Sequence, residues 1–187
     1  MIIELNPDLM LDASKFILHK TEAKVVTYLN KHSINYQTQY KIHRGKKNGW
    51  FKLDVYLPDL GICIEIDGPQ HFRQIREWID PVIQSKRDVF KMLCLKEKEL
   101  RCIRLLQEEV LEQPESWLDN YLFPLLCKSE QLEPVYVITQ PSNHELYNEH
   151  KRLYDTGAIC IDELYYDEFD VGGIEEESDI DNEIIIS

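Results

Sequence analysis

The chain has 187 residues, 43% hydrophobic and 10% aromatic, which suits a globular protein with one main core. No run of about 18 apolar residues occurs, and the opening MIIELNPDLM lacks the basic flank and apolar core of a signal peptide, so a soluble intracellular protein of cytoplasm or nucleus is expected, with no membrane partner. The net charge of −13 argues against nucleic acid only until it is divided: residues 1–128 carry 19 Lys+Arg against 18 Asp+Glu, and residues 129–187 carry 2 against 16.

In chain order, a helix is expected from Thr21 as N-cap, with Val25, Val26 and Leu29 on one face and NKHSIN ending it; a further turn over 12–19 would precede it. INYQTQYKI reads as a strand. Lys41 to Lys52 (KIHRGKKNGWFK) then carries five basic residues and no acid, a local positive patch. A hairpin follows over residues 51–67. After Gly68 the chain turns helical, is interrupted by Pro81, and resumes over about 82–99. LRCIRLL reads as a buried strand and 107–126 as a helix. The order α-β-β-β-α-β-α gives an α/β domain with a mixed sheet of about four strands flanked by helices. LEPVYVITQP adds a strand and NHELYNEHKRLY a helix. From Gly172 the chain is acidic and poor in core residues, which argues for disorder. Five scattered cysteines without a CxxC pair suggest reduced thiols, mostly in the core.

With PDLG (58–61) as the turn, paired hairpin residues sum to 119 and the register follows. One face collects Leu53 opposite Ile66, Val55 opposite Ile64 and Leu57 opposite Ile62; the other collects Lys52 opposite Asp67, Asp54 opposite Glu65 and Tyr56 opposite Cys63. Like charges directly across a ladder are unfavourable. A divalent cation reverses that penalty, and paired carboxylates completed by water and phosphate oxygens are what Mg²⁺ prefers. Glu22 falls on the apolar stripe of the first helix with positions 25, 26 and 29, and an inward carboxylate needs a partner. The competing reading makes Asp54, Glu65 and Asp67 a solvated face, with Lys52 and Asp67 as an ion pair.

LDVYLPDLGICIEIDGPQHF resembles the core of PD-(D/E)xK nucleases, most closely the branch of Vsr-type very-short-patch repair endonucleases, whose pattern is an Asp-bearing strand, a turn, then Ile-Glu-x-Asp-Gly-x-x-His. RDVFKMLCLKEKELRCIRL is similar to that branch's Asp-x-x-Lys helix and following strand, with Asp88, Lys91 and Arg104 in matching positions. The resemblance covers about residues 20–106. It implies a restriction-endonuclease-like core over 1–128, followed by an extension over 129–171 and a tail over 172–187. It implies metal ligation by Asp54, Glu65 and Glu22, with Mg²⁺ or Mn²⁺ as cofactor. Asp67 stands where the motif lysine usually sits. Lys91 is the candidate to replace that lysine, and His71 with Gln70 follows the metal-bearing strand, where a histidine can move a proton. The implied activity is metal-dependent hydrolysis of DNA phosphodiesters in repair, recombination or junction processing. The alternatives are a catalytically silent nucleic-acid-binding or regulatory protein on the same fold, and an RNA nuclease.

Arg44, Lys46 and Lys47 suit phosphate contacts, and Trp50 reads as a core anchor rather than a stacking platform for a base. Arg73 and Arg76, with Trp78, offer a second basic-aromatic surface for DNA. The acidic tail reads as a solubilising end or as a docking segment for a protein partner, and a homodimer is compatible with everything above.

Overall fold

The computed structural model describes residues 13–44, 49–74 and 80–159. Helix α1 spans Ala13–Lys31, and strands β1 (Gln37–His43), β2 (Trp50–Leu57) and β3 (Ile62–Asp67) follow. Next come α2 (Pro81–Glu97), β4 (Arg101–Leu106) and three short helices, α3 (Gln107–Glu112), α4 (Glu115–Tyr121) and α5 (Phe123–Cys127). Strand β5 (Val135–Ile138) and helix α6 (Asn148–Thr156) close the described chain, with a 3₁₀ segment over Pro141–Tyr147 leading into α6.

The strands form one mixed sheet in the order β1-β2-β3-β4-β5. The first three are antiparallel; β3, β4 and β5 run parallel. Five strands rather than about four therefore make the sheet, because residues 135–138 from the expected extension pair along β4. Parallel strands must be buried on both faces, and β3 and β4 are: every residue of β3 is buried and all of β4 but Arg101. On one face Val25, Tyr28 and Leu29 of α1 and Trp117, Leu118 and Leu122 meet Val55, Ile64 and Ile103. On the other, Val89, Met92 and Leu95 of α2 and Leu153 of α6 meet Cys63 and Cys102.

The expected hairpin register is present, with Val55 opposite Ile64, Tyr56 opposite Cys63 and Leu57 opposite Ile62. Gly61 ends the turn at φ +60°, a left-handed conformation that glycine adopts without strain. Beyond Val55 the ladder changes: the Asp54 carboxylate accepts the Ile66 N–H at 2.8 Å. Leu53 then packs with Cys63 and the α2 side chains instead of sharing the core of Val55 and Leu57, so the face pattern breaks there.

Other boundaries differ for local reasons. Helix α1 runs unbroken through Thr21, which is fully buried in its middle instead of capping its start. Pro81 begins α2 rather than interrupting a helix: it occupies the first turn, where its missing N–H costs nothing, and the Asp80 side chain caps by accepting the Val82 N–H at 2.7 Å. The helix expected over 107–126 is three pieces, because Pro114 and Pro124 each remove a helical donor. Trp50 is no core anchor. It lies 58% exposed near the sheet edge, edge-on to His43. Cys63, Cys94 and Cys102 are buried free thiols, while Cys127 is exposed. Among the described residues, no helix is long and apolar enough to cross a membrane. The tail from Gly172 and its expected disorder lie outside the described residues.

Candidate active site

Three elements converge on one cleft of about 320 Å³: the middle of β2, the C-terminal half of β3 and the buried face of α2. Asp54, Glu65, Asp67, Gln70, His71, Lys91 and Arg44 all line it. So do Asp88 and Arg87. The sites expected from separate stretches of sequence are thus brought together, and the cleft divides into two charge clusters.

The first cluster is Asp54, Glu65 and Lys91. The hairpin register sets Asp54 across from Glu65, and burial together with the Glu65 charge pushes the Asp54 carboxyl up to about 7. Lys91 reaches down from α2 to donate to Glu65 Oε2 and to the Lys52 carbonyl. Burial opposes the lysine charge, but Glu65 and Asp54 outweigh it and hold Lys91 above its ordinary pKa. It is therefore a fixed positive charge, not a base. Glu65 Oε1 is buried and has no hydrogen-bond partner. An unpartnered buried carboxylate oxygen beside a second carboxylate is an all-oxygen donor set of the kind a hard divalent cation completes. Glu22 stands behind this pair: it is buried as its place on the apolar stripe requires, its charge contributes to raising Asp54, and Gln39 Nε2 donates to it at 3.1 Å. It does not line the cleft.

The second cluster is built around Arg104, which is 1% exposed. Its Nε and Nη2 fork onto Asp67, and Nη2 lies 3.3 Å from Asp88 Oδ2. Asp67 also accepts from the Tyr147 hydroxyl at 2.8 Å. Asp88 Oδ2 lies 2.6 Å from His71 Nδ1 and 3.1 Å from His150 Nε2, and Gln84 donates to its other oxygen. Burial alone would raise both carboxyls; Arg104 and then His71 hold Asp67 below the usual range and Asp88 well below it. Burial works against a charged His71, yet Asp88 and Asp67 raise its pKa. With Nδ1 on Asp88, Nε2 is the nitrogen left to exchange protons.

Ligand atoms of Asp67, His71 and Asp88 lie within 4.8 Å of one another, a spacing that could hold a metal ion. Charge decides against it. Two carboxylates are already offset by the buried guanidinium and by a histidine favoured in its charged form, and a further dication would face Arg104 at short range. The same pairing corrects the expectation for Asp67. Its oxygens serve Arg104 and Tyr147 rather than a Lys52 ion pair or the reacting groups, so it positions the cluster.

Arg73 is exposed and lies 3.5 Å from Glu108, not among the residues lining the cleft. Lys46, Lys47, Arg76 and Trp78 lie outside the described residues. Sequence reasoning reached Asp88 and Arg104 only through resemblance. It missed Arg87, Tyr147 and His150, although two aromatic-type residues three apart on NHELYNEHKRLY marked one helical face that could have pointed inward. No family model, no curated protein and no solved structure matches this chain.

Proposed function

We propose that this protein is a metal-dependent endonuclease acting on DNA, with Asp54 and Glu65 as the metal ligands. Glu65 carries the reading: a buried carboxylate with one oxygen on Lys91, the other without a partner, and Asp54 beside it. A bound Mg²⁺ or Mn²⁺ would supply activated water and offset charge developing on the phosphate. Lys91, held charged, stabilises an anionic transition state and fills the role that Asp67 leaves open in the motif. Arg44 and Arg87 give the same cleft its affinity for phosphate. His71, oriented through Nδ1 by Asp88, passes a proton from Nε2 toward the leaving oxygen. Its elevated pKa suits an acid that must hold its proton near neutrality.

The test is incubation with single-stranded, duplex, mismatched and branched DNA and with matching RNA, with and without Mg²⁺ or Mn²⁺. Cleavage of DNA only with metal is the expected result. Binding without cleavage under every condition would replace this reading with a silent nucleic-acid-binding protein, and preferential cleavage of RNA would change the substrate class.

A further inference from the structure

A second cavity, of about 520 Å³, lies between β4–β5 and the α6 segment and shares no lining residue with the cleft. Met92, Val135 and Val137 supply apolar wall, and Tyr147 and Tyr154 supply aromatic surface. Its size and lining are those of a small-molecule site, which is mostly apolar with a few placed polar groups.

Three polar atoms on residues lining it are buried without a partner: Arg104 Nη1, His150 Nδ1 and the Tyr154 hydroxyl. The Arg104 and His150 residues are 1% and 3% exposed. Buried polar groups are ordinarily satisfied, so three orphans around one cavity point to a ligand that satisfies them. Their chemistry specifies it. Arg104 Nη1 can only donate, its other nitrogens already serving Asp67. His150 Nε2 lies 3.1 Å from Asp88 Oδ2; a carboxylate only accepts, so Nε2 carries a proton and the neutral ring presents Nδ1 as an acceptor. Tyr154 can do either.

The ligand must therefore accept at one point of its edge and donate at another. Phosphate and carboxylate offer acceptors alone, and would meet the His150 lone pair and the Glu133 and Asp155 that also line the cavity. Water meets the polar need, but a space many times the roughly 30 Å³ share of one water, walled largely by aliphatic and aromatic side chains, is better filled by a ring. We propose that this cavity binds a neutral nucleobase-type heterocycle whose donor–acceptor edge is read by Arg104 and His150. The inference does not rest on the metal site and stands if that site fails. Because both reading residues also touch Asp88, occupancy bears directly on the cluster that orients His71.

Calorimetric titration of the full chain with uridine, cytidine, adenosine and guanosine tests this, with inorganic phosphate and acetate as comparison ligands. At least one nucleoside should bind with a submillimolar Kd. Tyr154→Phe, which removes one orphan hydroxyl and leaves the ring, should weaken binding about tenfold without lowering the melting temperature. Val137→Phe, which fills the cavity, should abolish it. An oligonucleotide carrying 2-aminopurine separates the two sources of the ligand. A fluorescence change reversed by the free nucleoside places a base of the strand in the cavity, and no change leaves the free nucleoside as the ligand. Absence of nucleoside binding, binding unaltered by Tyr154→Phe, or binding of phosphate or acetate alone would overturn the proposal.

Discussion

Lys91 on α2 is hydrogen-bonded to Glu65 on β3, which ties the helix to the metal-bearing strand by a buried ion pair. The lysine charge also lowers the Asp54 carboxyl, which would otherwise stand above about 7. Lys91→Met should therefore have two effects: turnover falls about 100-fold, and Asp54 titrates higher. Single-turnover cleavage reads the first, and carboxyl NMR titration the second. DNA affinity should change little, because the group acts on the transition state. Unchanged turnover would make Lys91 a structural ion-pair partner.

Asp54→Asn and Glu65→Gln each remove ligand charge while keeping side-chain shape, and the amide oxygen introduced by Asp54→Asn can still accept the Ile66 N–H. Both variants should lose cleavage and lose the rise in melting temperature that Mg²⁺ gives the wild type, with DNA binding retained. Asp88→Asn separates the two clusters. It should leave Mn²⁺ affinity nearly unchanged, since Asp88 faces Arg104 and the histidines. A selective loss of metal binding in Asp88→Asn would move the metal to the second cluster.

The raised Asp54 pKa makes metal-free stability depend on pH. A carboxyl whose folded pKa exceeds its unfolded value binds its proton more tightly when folded, so stability falls as pH rises from the ordinary range through about 7. Between pH 4 and 8 this contribution amounts to roughly 2–4 kcal/mol. Urea unfolding across that range should show the decline in the wild type and a smaller one in Asp54→Asn. Magnesium should stabilise more at pH 8 than at pH 5. His71 has the same sign, its stabilisation being present at low pH and lost as pH climbs through its raised pKa.

Removing one member of the buried Arg104 network leaves uncompensated charge. Arg104→Met should cost about 3–5 kcal/mol, against about 1–2 kcal/mol for Tyr147→Phe, which removes a single donor from Asp67. Denaturant midpoints measure both. Equal small losses would mean that the network is solvated rather than closed.

Trp50 is exposed beside His43 at the end of β2 whose middle carries Asp54. Trp50→Ala should leave stability within about 0.5 kcal/mol and weaken single-stranded DNA binding by about 1–3 kcal/mol, the worth of one base stacked on an aromatic. Fluorescence anisotropy at fixed salt checks this, and an unchanged affinity would remove Trp50 from the interface.

What the sequence determined by itself is the local part of this protein. Period-two alternation across a turn ending in Gly61 set Asp54 opposite Glu65, and the helical stripe turned Glu22 inward, because both signals act between residues a few positions apart or joined by one tight turn. Even there, the Asp54 bond to Ile66 N–H broke the alternation at Leu53, a change that periodicity does not encode. Only the tertiary structure decided the second cluster. Asp67 meets Arg104, Asp88 meets His150 and Asp67 meets Tyr147 across 37, 62 and 80 residues of chain. Those pairings exist because β4 and β5 lie parallel beside β3 and α6 packs against α2. Each residue alone is an ordinary polar group in a helix or strand; its partner, and hence its charge state, appears only when the sheet order is fixed.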